Sequence, residues 1–161
     1  MKKLLSLCIC SSLALSLSLH ANEQVTPKKA SPVKNIIMIV GDGMGPAYTT
    51  AYRYYNDNPA TAAIEETVFD RHLQGMSSTY PAPVSGYVTD SAAGATALST
   101  GIKSYNGAIG VDVDKKPIKT VLEYAKEIGK KTGVVVTSQI NHATPASYLA
   151  HNEYRRNYNA I

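Results

Sequence analysis

Cysteine is almost absent from this chain. Its two cysteines, Cys8 and Cys10, both lie in the apolar stretch Leu4–Leu19 near the start. The residues after that stretch can therefore form neither a disulfide nor a cysteine-ligated metal site. A protein without these must be stabilised by its hydrophobic core, or by metal ions that histidine and carboxylate side chains hold.

An excess of charge of one sign is also missing. The formal net charge of +4 drops by two when Lys2 and Lys3 at the chain start are set aside, and the other lysines are scattered. Proteins that bind nucleic acids or membrane surfaces usually cluster their basic residues on one face. The composition therefore indicates no nucleic-acid partner and no membrane-binding face.

The first 21 residues have the three-part layout of a secretory signal peptide. Met1-Lys2-Lys3 is a short basic start, Leu4–Leu19 is uncharged and rich in Leu, Ser and Ala, and Ala21 is a small residue at the cleavage position. The alternative is an uncleaved membrane anchor, but the stretch is shorter and more polar than a span of about 20 apolar residues. We expect residues 1–21 to be removed and the protein to be secreted, into the periplasm of a bacterium, without a stable membrane anchor.

Apolar runs alternate with helical patterns after a polar leader at residues 22–34. The runs predict strands at Asn35–Val40, Met76–Tyr80 and Gly133–Thr137, of which the first and last read as strands buried on both faces of a sheet. Helical patterns cover Pro46–Tyr55, Thr67–Leu73, Asp90–Ser99, Pro117–Ile128 and the stretch from Pro145 toward Ile161. This alternation predicts an α/β fold with a mainly parallel sheet over residues 35–161. Because the chain stops inside a predicted helix, we expect it to be a fragment of a longer protein.

The first motif with chemical potential is Gly41-Asp42-Gly43-Met44-Gly45, directly after the first predicted strand. Ligands of α/β proteins bind beyond the carboxyl ends of the strands, and a carboxylate there can hold a cation. An ordinary Gly-Asp-Gly turn is an equally good interpretation of the motif alone. The glycine spacing does not fit a dinucleotide-binding loop, and no Gly-Lys-Ser/Thr follows, which excludes a Walker loop.

The second motif is the stretch Thr89–Ala97, which opens a predicted helix of small residues. Thr89 or Asp90 can cap this helix, which leaves Ser91 in its first turn. Free backbone N–H groups and the helix dipole favour an anion at that position. A serine hydroxyl beside a bound phosphate is placed for in-line attack, but it needs a base or a metal ion to ionise it. The structural alternative is a capped, alanine-rich helix that only packs tightly.

The third motif is Asn141-His142-Ala143-Thr144-Pro145, which follows the last predicted strand. On an extended segment His142 and Thr144 would point the same way and could serve one cation. Arg155 and Arg156 follow, and a guanidinium can hold two phosphate oxygens at once. The alternatives are a structural histidine and a solvated basic pair. His72 and His151 are expected to be ordinary helix residues.

Taken together, in this order and spacing, the three motifs resemble those of the alkaline phosphatase family. The resemblance covers about residues 35–161, and Asp90-Ser91-Ala92 with Gly94-Ala95-Thr96 is its most specific part. It implies a three-layer α/β/α sandwich with a mainly parallel sheet, incomplete in this chain. It also implies two zinc ions and one magnesium ion as cofactors.

The resemblance implies a role for five residues. Asp42 would bridge one zinc ion and the magnesium ion, and Ser91 would be the nucleophile, ionised by that zinc. His142 and Thr144 would lie on the magnesium side, and Arg155 would clamp the phosphate. Some members of the family have Asp where this sequence has His142, so the identity of the metal at that position stays open.

The implied reaction is the hydrolysis of small phosphate monoesters by double displacement through a phosphoserine. No motif in the 161 residues matches the remaining metal ligands of the family, so we expect the chain alone to be inactive. Two alternatives stay open: a non-catalytic remnant that binds phosphate or metal, and a phosphodiesterase of the same superfamily. The sequence does not indicate whether the protein forms a homodimer, or which substrate it uses.

Overall fold

Residues 32–161 are described by the structure, a computed structural model of the chain. The predicted signal peptide at 1–21 lies outside these residues, as does most of the predicted leader at 22–34. The chain divides into a unit that ends at Met38 and a second unit, Ile39–Ile161, which contains all the sites discussed below. None of the helices in the described part has the length and apolarity needed to cross a bilayer.

Five α-helices form in the described residues. They are α1 (Pro46–Tyr55), α2 (Val68–His72), α3 (Ser91–Thr100), α4 (Val121–Glu127) and α5 (Ala143–Leu149), with a short 3-10 helix at Pro83–Ser85 before α3. The helices predicted at 46–55, 67–73 and 90–99 are thereby confirmed. Thr67 caps α2 through a capping box with Asp70, and Asp90 caps α3. Gly101 ends α3 with a left-handed φ of 76°.

The fourth helix begins later than the sequence pattern predicts. Pro117 was expected near its start, but α4 begins at Val121. Thr120 Oγ1 accepts a hydrogen bond from Glu123 N, while the Glu123 carboxylate accepts one from Thr120 N at 2.8 Å. This reciprocal pair satisfies two backbone donors at the helix end, so it determines where α4 begins.

The fifth helix is shorter than predicted. It covers Ala143–Leu149, beginning two residues before Pro145, and it ends because Ala150 is extended, with φ −141° and ψ 168°. Beyond it, Asn152 exchanges two backbone hydrogen bonds with Ile109, at 2.8 and 2.9 Å. The prediction that this helix continues toward the chain end is therefore wrong. The backbone of Asn152 pairs with the loop at Ile109 instead of continuing the helix.

No strand forms within residues 32–161, so the strands predicted at Asn35–Val40, Met76–Tyr80 and Gly133–Thr137 are wrong for this chain. Ile39 and Val135 leave 90% and 100% of their surface exposed. A β-strand needs a neighbouring strand to satisfy its backbone, and a strand buried on both faces needs covering layers. The described part of the chain contains no strand that could pair with these segments.

Helices α3 and α5 pack against each other and carry a small core. Its buried cluster consists of Ala92, Ile109, Ala143 and Ala146. Small side chains at such a contact let two helices approach closely. Ser99 Oγ on α3 donates to the carbonyl oxygen of Ser147 on α5 at 2.6 Å, so buried hydroxyl groups also join the two helices. This contact brings the first turns of both helices into one region, which is where the candidate site lies.

Candidate active site

Asp42 lies in a glycine-rich turn directly before α1. Gly43 has a φ of +70°, in the left-handed region that glycine adopts without steric cost. Met44 N donates to Gly41 O at 3.1 Å and closes the turn. Because Asp42 is exposed in this turn, its carboxylate is accessible to side chains from other segments.

Two hydroxyl groups from distant parts of the chain converge on the Asp42 carboxylate. Ser91 Oγ donates to Asp42 Oδ1 at 2.9 Å and lies 3.2 Å from Oδ2. Thr144 Oγ1 donates to Oδ2 at 3.1 Å. Ser91 and Thr144 belong to the first turns of α3 and α5, so the packing of these two helices brings both hydroxyl groups to one carboxylate.

Ser91 is the first residue of α3 and is half-buried. Asp90 caps the helix, because its Oδ1 accepts a hydrogen bond from Ala93 N at 2.9 Å. The remaining N–H groups of the first turn lie at the positive end of the helix dipole. A negatively charged group such as phosphate is stabilised there.

Arg155 lies beside this helix start. Its Nη1 is 3.0 Å from Asp90 Oδ2, and both side chains are about three-quarters buried, with 22% and 26% exposed. Arg155 N donates to Gly107 O at 2.8 Å. An open cleft of about 550 Å³ adjoins the guanidinium, and its lining includes Asp90, Asn106, His142, Arg155 and Arg156.

His142 and Thr144 do not lie together on an extended segment, contrary to prediction. His142 precedes α5 with φ −67° and ψ 156°, while Thr144 is already helical. His142 lines the cleft beside Arg155, and Thr144 contacts Asp42. Within residues 32–161, no group of three or more His, Cys, Asp or Glu side chains could hold a metal ion. The candidate site therefore has the carboxylates of Asp42 and Asp90, two hydroxyl groups, a guanidinium and a neighbouring imidazole.

Asn106 belongs to this site, although the sequence interpretation did not include it. Its Oδ1 accepts a hydrogen bond from Asp90 N at 3.1 Å, and its Nδ2 donates to Val88 O at 2.8 Å. The only signal in the sequence is the dipeptide Asn106-Gly107, which is typical of a tight turn. That signal does not indicate a contact with a helix start 16 positions earlier.

His151 was expected to be an ordinary helix residue, but it lies beyond α5 and joins two other segments. Its Nδ1 is 2.6 Å from Gly110 O, and its Nε2 is 3.0 Å from Glu123 Oε1. Burial lowers the pKa of His151, but the hydrogen bonds to Glu123 and Gly110 outweigh burial and raise the pKa above its usual value. The pKa of Glu123 is lowered by hydrogen bonds from Thr120 N and from His151.

Comparison with known proteins shows one consistent family. A family model described as alkaline phosphatase matches residues 33–161. The chain is 52% identical over 167 residues to alkaline phosphatase 3 of Bacillus subtilis (strain 168), covering 99% of this chain and 36% of that protein. Its structure is similar to the cold-active alkaline phosphatase from a psychrophilic Shewanella sp., with a TM-score of 0.71 and 69% identity, covering 74% of this chain and 30% of that chain.

A second solved relative is a variant of the TAB5 alkaline phosphatase with magnesium bound in its M3 site. The TM-score is 0.59 at 38% identity, and the match covers 73% of this chain and 32% of that chain. The solved relatives have α/β folds. This confirms the predicted α/β class but not its three-layer arrangement. The chain spans about a third or less of the length of the curated relatives it matches.

Proposed function

This chain belongs to the alkaline phosphatase family, and we propose that the protein containing it hydrolyses phosphate monoesters through a phosphoserine on Ser91. One observation supports this proposal above the others. The Ser91 hydroxyl donates to the Asp42 carboxylate at the start of a helix, where Arg155 contacts the capping residue Asp90. A nucleophile, an anion-binding helix start and a guanidinium thus lie side by side.

Ser91 forms the covalent intermediate in this proposal. Its Oγ releases its proton to solvent and bonds to phosphorus while the bond from phosphorus to the leaving oxygen breaks, and that oxygen takes up a proton from solvent. Water then cleaves the phosphoserine, which releases inorganic phosphate and restores the serine. The hydrogen bond from Ser91 Oγ to Asp42 Oδ1 at 2.9 Å orients the oxygen that attacks.

Arg155 and the start of α3 bind the phosphate in this proposal. Charge in the transition state spreads over the three equatorial oxygens of the phosphoryl group and must be stabilised there. Arg155 uses Nη1 for Asp90, which leaves its other N–H groups to bind phosphate oxygens. The N–H groups in the first turn of α3 can bind the same anion.

The oxygen donors of the site fit part of a metal centre. Oxygen ligands suit a hard cation such as magnesium, whereas zinc sites take nitrogen, sulfur and carboxylate ligands in sets of three or four. The described residues contain no such set. We therefore propose that Asp42, Ser91, His142 and Thr144 supply only some of the ligands for two zinc ions and one magnesium ion. Such ions, when bound, lower the pKa of a serine hydroxyl and offset the charge of a leaving oxygen.

The architecture around the site is part of the same proposal. We propose that residues 35–161 are the N-terminal part of a three-layer α/β/α catalytic domain, which follows a signal peptide at 1–21 and a leader at 22–34. The coverage of about a third of the curated relatives supports this proposal. The protein would act in the periplasm on small phosphate monoesters. Sedimentation of the full-length protein tests whether it forms a homodimer.

The test is turnover of an aryl phosphate by the full-length protein at alkaline pH. We expect Ser91→Ala to reduce phosphate release by at least about 1,000-fold, because removing a nucleophile leaves only the residual rate from binding. Ser77→Ala removes a hydroxyl at an exposed serine outside the site and should leave the rate unchanged. Full activity in Ser91→Ala would overturn the mechanism.

Two further measurements separate the alternatives. Chelation should abolish turnover, and zinc with magnesium should restore it, whereas a non-catalytic remnant shows no turnover under either condition. The rate on a monoester should exceed the rate on the corresponding diester. Faster cleavage of the diester would favour a phosphodiesterase instead.

A further inference from the structure

The side chain of Asn106 binds the segment that leads into Ser91. Its Oδ1 accepts from Asp90 N at 3.1 Å, and its Nδ2 donates to Val88 O at 2.8 Å. Both polar atoms of the amide group are therefore bonded to main-chain atoms. Because Ser91 is the next residue along the chain, these bonds constrain the position of its Cα atom.

The adjoining residue, Gly107, binds the main chain of Arg155. Its carbonyl oxygen accepts from Arg155 N at 2.8 Å. Gly107 has a φ of +96°, and a Cβ atom there would lie 3.1 Å from Tyr154 Cδ2. Glycine therefore meets two requirements at this position, a left-handed backbone and close approach of the ring that precedes Arg155.

We propose that the Asn106-Gly107 turn is a positioning unit that sets the separation between Ser91 and Arg155. This inference rests on the proposed phosphoryl transfer at Ser91. In-line attack requires the nucleophile to lie within about 3–3.5 Å of the phosphorus atom, in line with the leaving oxygen. Arg155 holds the oxygens of the same phosphate, so the serine and the guanidinium must be positioned relative to each other.

Side-chain contact alone constrains this separation weakly. The contact of Arg155 Nη1 with Asp90 Oδ2, at 3.0 Å, lies at the end of a long side chain with many rotamers. The hydrogen bonds of Asn106 and Gly107, by contrast, hold main-chain atoms beside Ser91 and at Arg155. Both sets of bonds come from the same dipeptide, so they connect the two segments directly. A displacement of this turn would therefore move the nucleophile or the arginine, depending on which of the two residues is altered.

The serine side is tested with Asn106→Ala in the full-length protein. The substitution removes both hydrogen bonds made by the Asn106 side chain. It leaves the Gly107 carbonyl oxygen able to accept the hydrogen bond from Arg155 N. We expect kcat for an aryl phosphate to drop by roughly 10- to 100-fold, with inhibition by inorganic phosphate changed less than about three-fold. Asn106→Ser, which keeps a hydrogen-bonding group, should lie between this variant and the wild type.

The arginine side is tested with Gly107→Ala. The added Cβ moves Tyr154 and with it the backbone of Arg155, so the inhibition constant of inorganic phosphate should rise roughly ten-fold. The effect on kcat should be the smaller one. Asn58→Ala is the matched control for Asn106→Ala, because Asn58 caps an exposed turn with its side chain and lies outside the site. It should change neither constant.

A double-mutant cycle separates positioning from general stability. In an Arg155→Ala background, Gly107→Ala should no longer change phosphate inhibition, because no guanidinium is left to be misplaced. Additive losses in the double variant would overturn the proposal, as would equal changes of kcat and phosphate affinity in both single variants. Rates are expressed per folded molecule, from circular dichroism, and variants that do not fold at all would assign the turn to stability alone. Wild-type turnover by Ser91→Ala would instead overturn the proposed function.

Discussion

At the scale of single residues, His151 shows how neighbouring hydrogen-bond acceptors favour the protonated form of an imidazole. Both of its ring nitrogens face hydrogen-bond acceptors, the Gly110 carbonyl oxygen and the Glu123 carboxylate. A neutral imidazole has one N–H group, whereas the protonated ring has two. Protonation therefore satisfies both acceptors, and deprotonation leaves one of them unpaired. The loop at Gly110 and helix α4 are joined through this ring.

The pKa shifts of this pair predict how stability depends on pH. The pKa of His151 is raised above 6.5, so its contribution is complete below pH 6.5 and is lost as the pH rises through the raised value. The pKa of Glu123 is lowered from 4.5, so its contribution is complete above pH 4.5 and is lost as the pH falls through the lowered value. We expect His151→Gln to lower the urea midpoint of unfolding most between pH 4.5 and 6.5, and least in alkaline solution.

The matched control for this pH series is His72→Gln, because His72 is exposed in the last turn of α2. His72→Gln should change the urea midpoint only slightly, without the larger effect between pH 4.5 and 6.5 that is expected for His151→Gln. A loss of stability in His151→Gln that is equal at all pH values would contradict the role of the charge.

At the scale of elements, helix α4 shows that caps decide where a helix begins. Thr120 is 1% exposed and combines two functions. Its Oγ1 accepts from Glu123 N within the capping box and donates to Tyr148 O of α5 at 3.1 Å. One hydroxyl group thus starts α4 and joins it to α5.

Substitutions of Thr120 should therefore separate the hydroxyl group from the methyl group. We expect Thr120→Ala to lower the free energy of unfolding by about 1–2 kcal/mol, because it removes the cap and its hydrogen bond to the part-buried Tyr148 carbonyl oxygen. Thr120→Ser retains the hydroxyl and should lose less stability. Urea unfolding of both variants measures the difference, and equal losses would contradict the capping argument.

At the scale of the whole molecule, the second unit exposes apolar segments that the sequence marks as buried strands. Ile39 leaves 90% of its surface exposed and Val135 leaves 100%. Large exposed apolar patches usually mark a contact with other protein. Since the chain spans about a third of its curated relatives, we propose that the rest of the catalytic domain covers these segments.

Comparison of the isolated 161-residue chain with the full-length protein tests this proposal. We expect the isolated chain to bind a hydrophobic dye, to self-associate in sedimentation experiments, and to show no turnover with added zinc and magnesium. Val135→Lys should reduce self-association of the isolated chain but destabilise the full-length protein, because a charge on a covered strand is costly. Appreciable turnover by the isolated chain would contradict the claim that essential metal ligands lie elsewhere.

Local interactions explain which features the sequence determined by itself. Pro46 at the start of α1, the Thr67 cap of α2, the Asp90 cap and the Gly101 end of α3 all involve residues within a few positions of each other. Such signals act within one or two helical turns, so they can be interpreted from the sequence alone. The order of the three motifs along the chain likewise indicates the family without reference to any tertiary contact.

Contacts between distant residues decided the rest. Asp42 is separated from Ser91 by 49 positions and from Thr144 by 102, and no local pattern indicates that α3 packs on α5 and brings them together. Packing also decided that Asn106 supports the start of α3. For the apolar runs, the sequence determined their tendency to form strands, but a strand is stable only beside another strand. Residues 32–161 contain none, so those runs stay exposed.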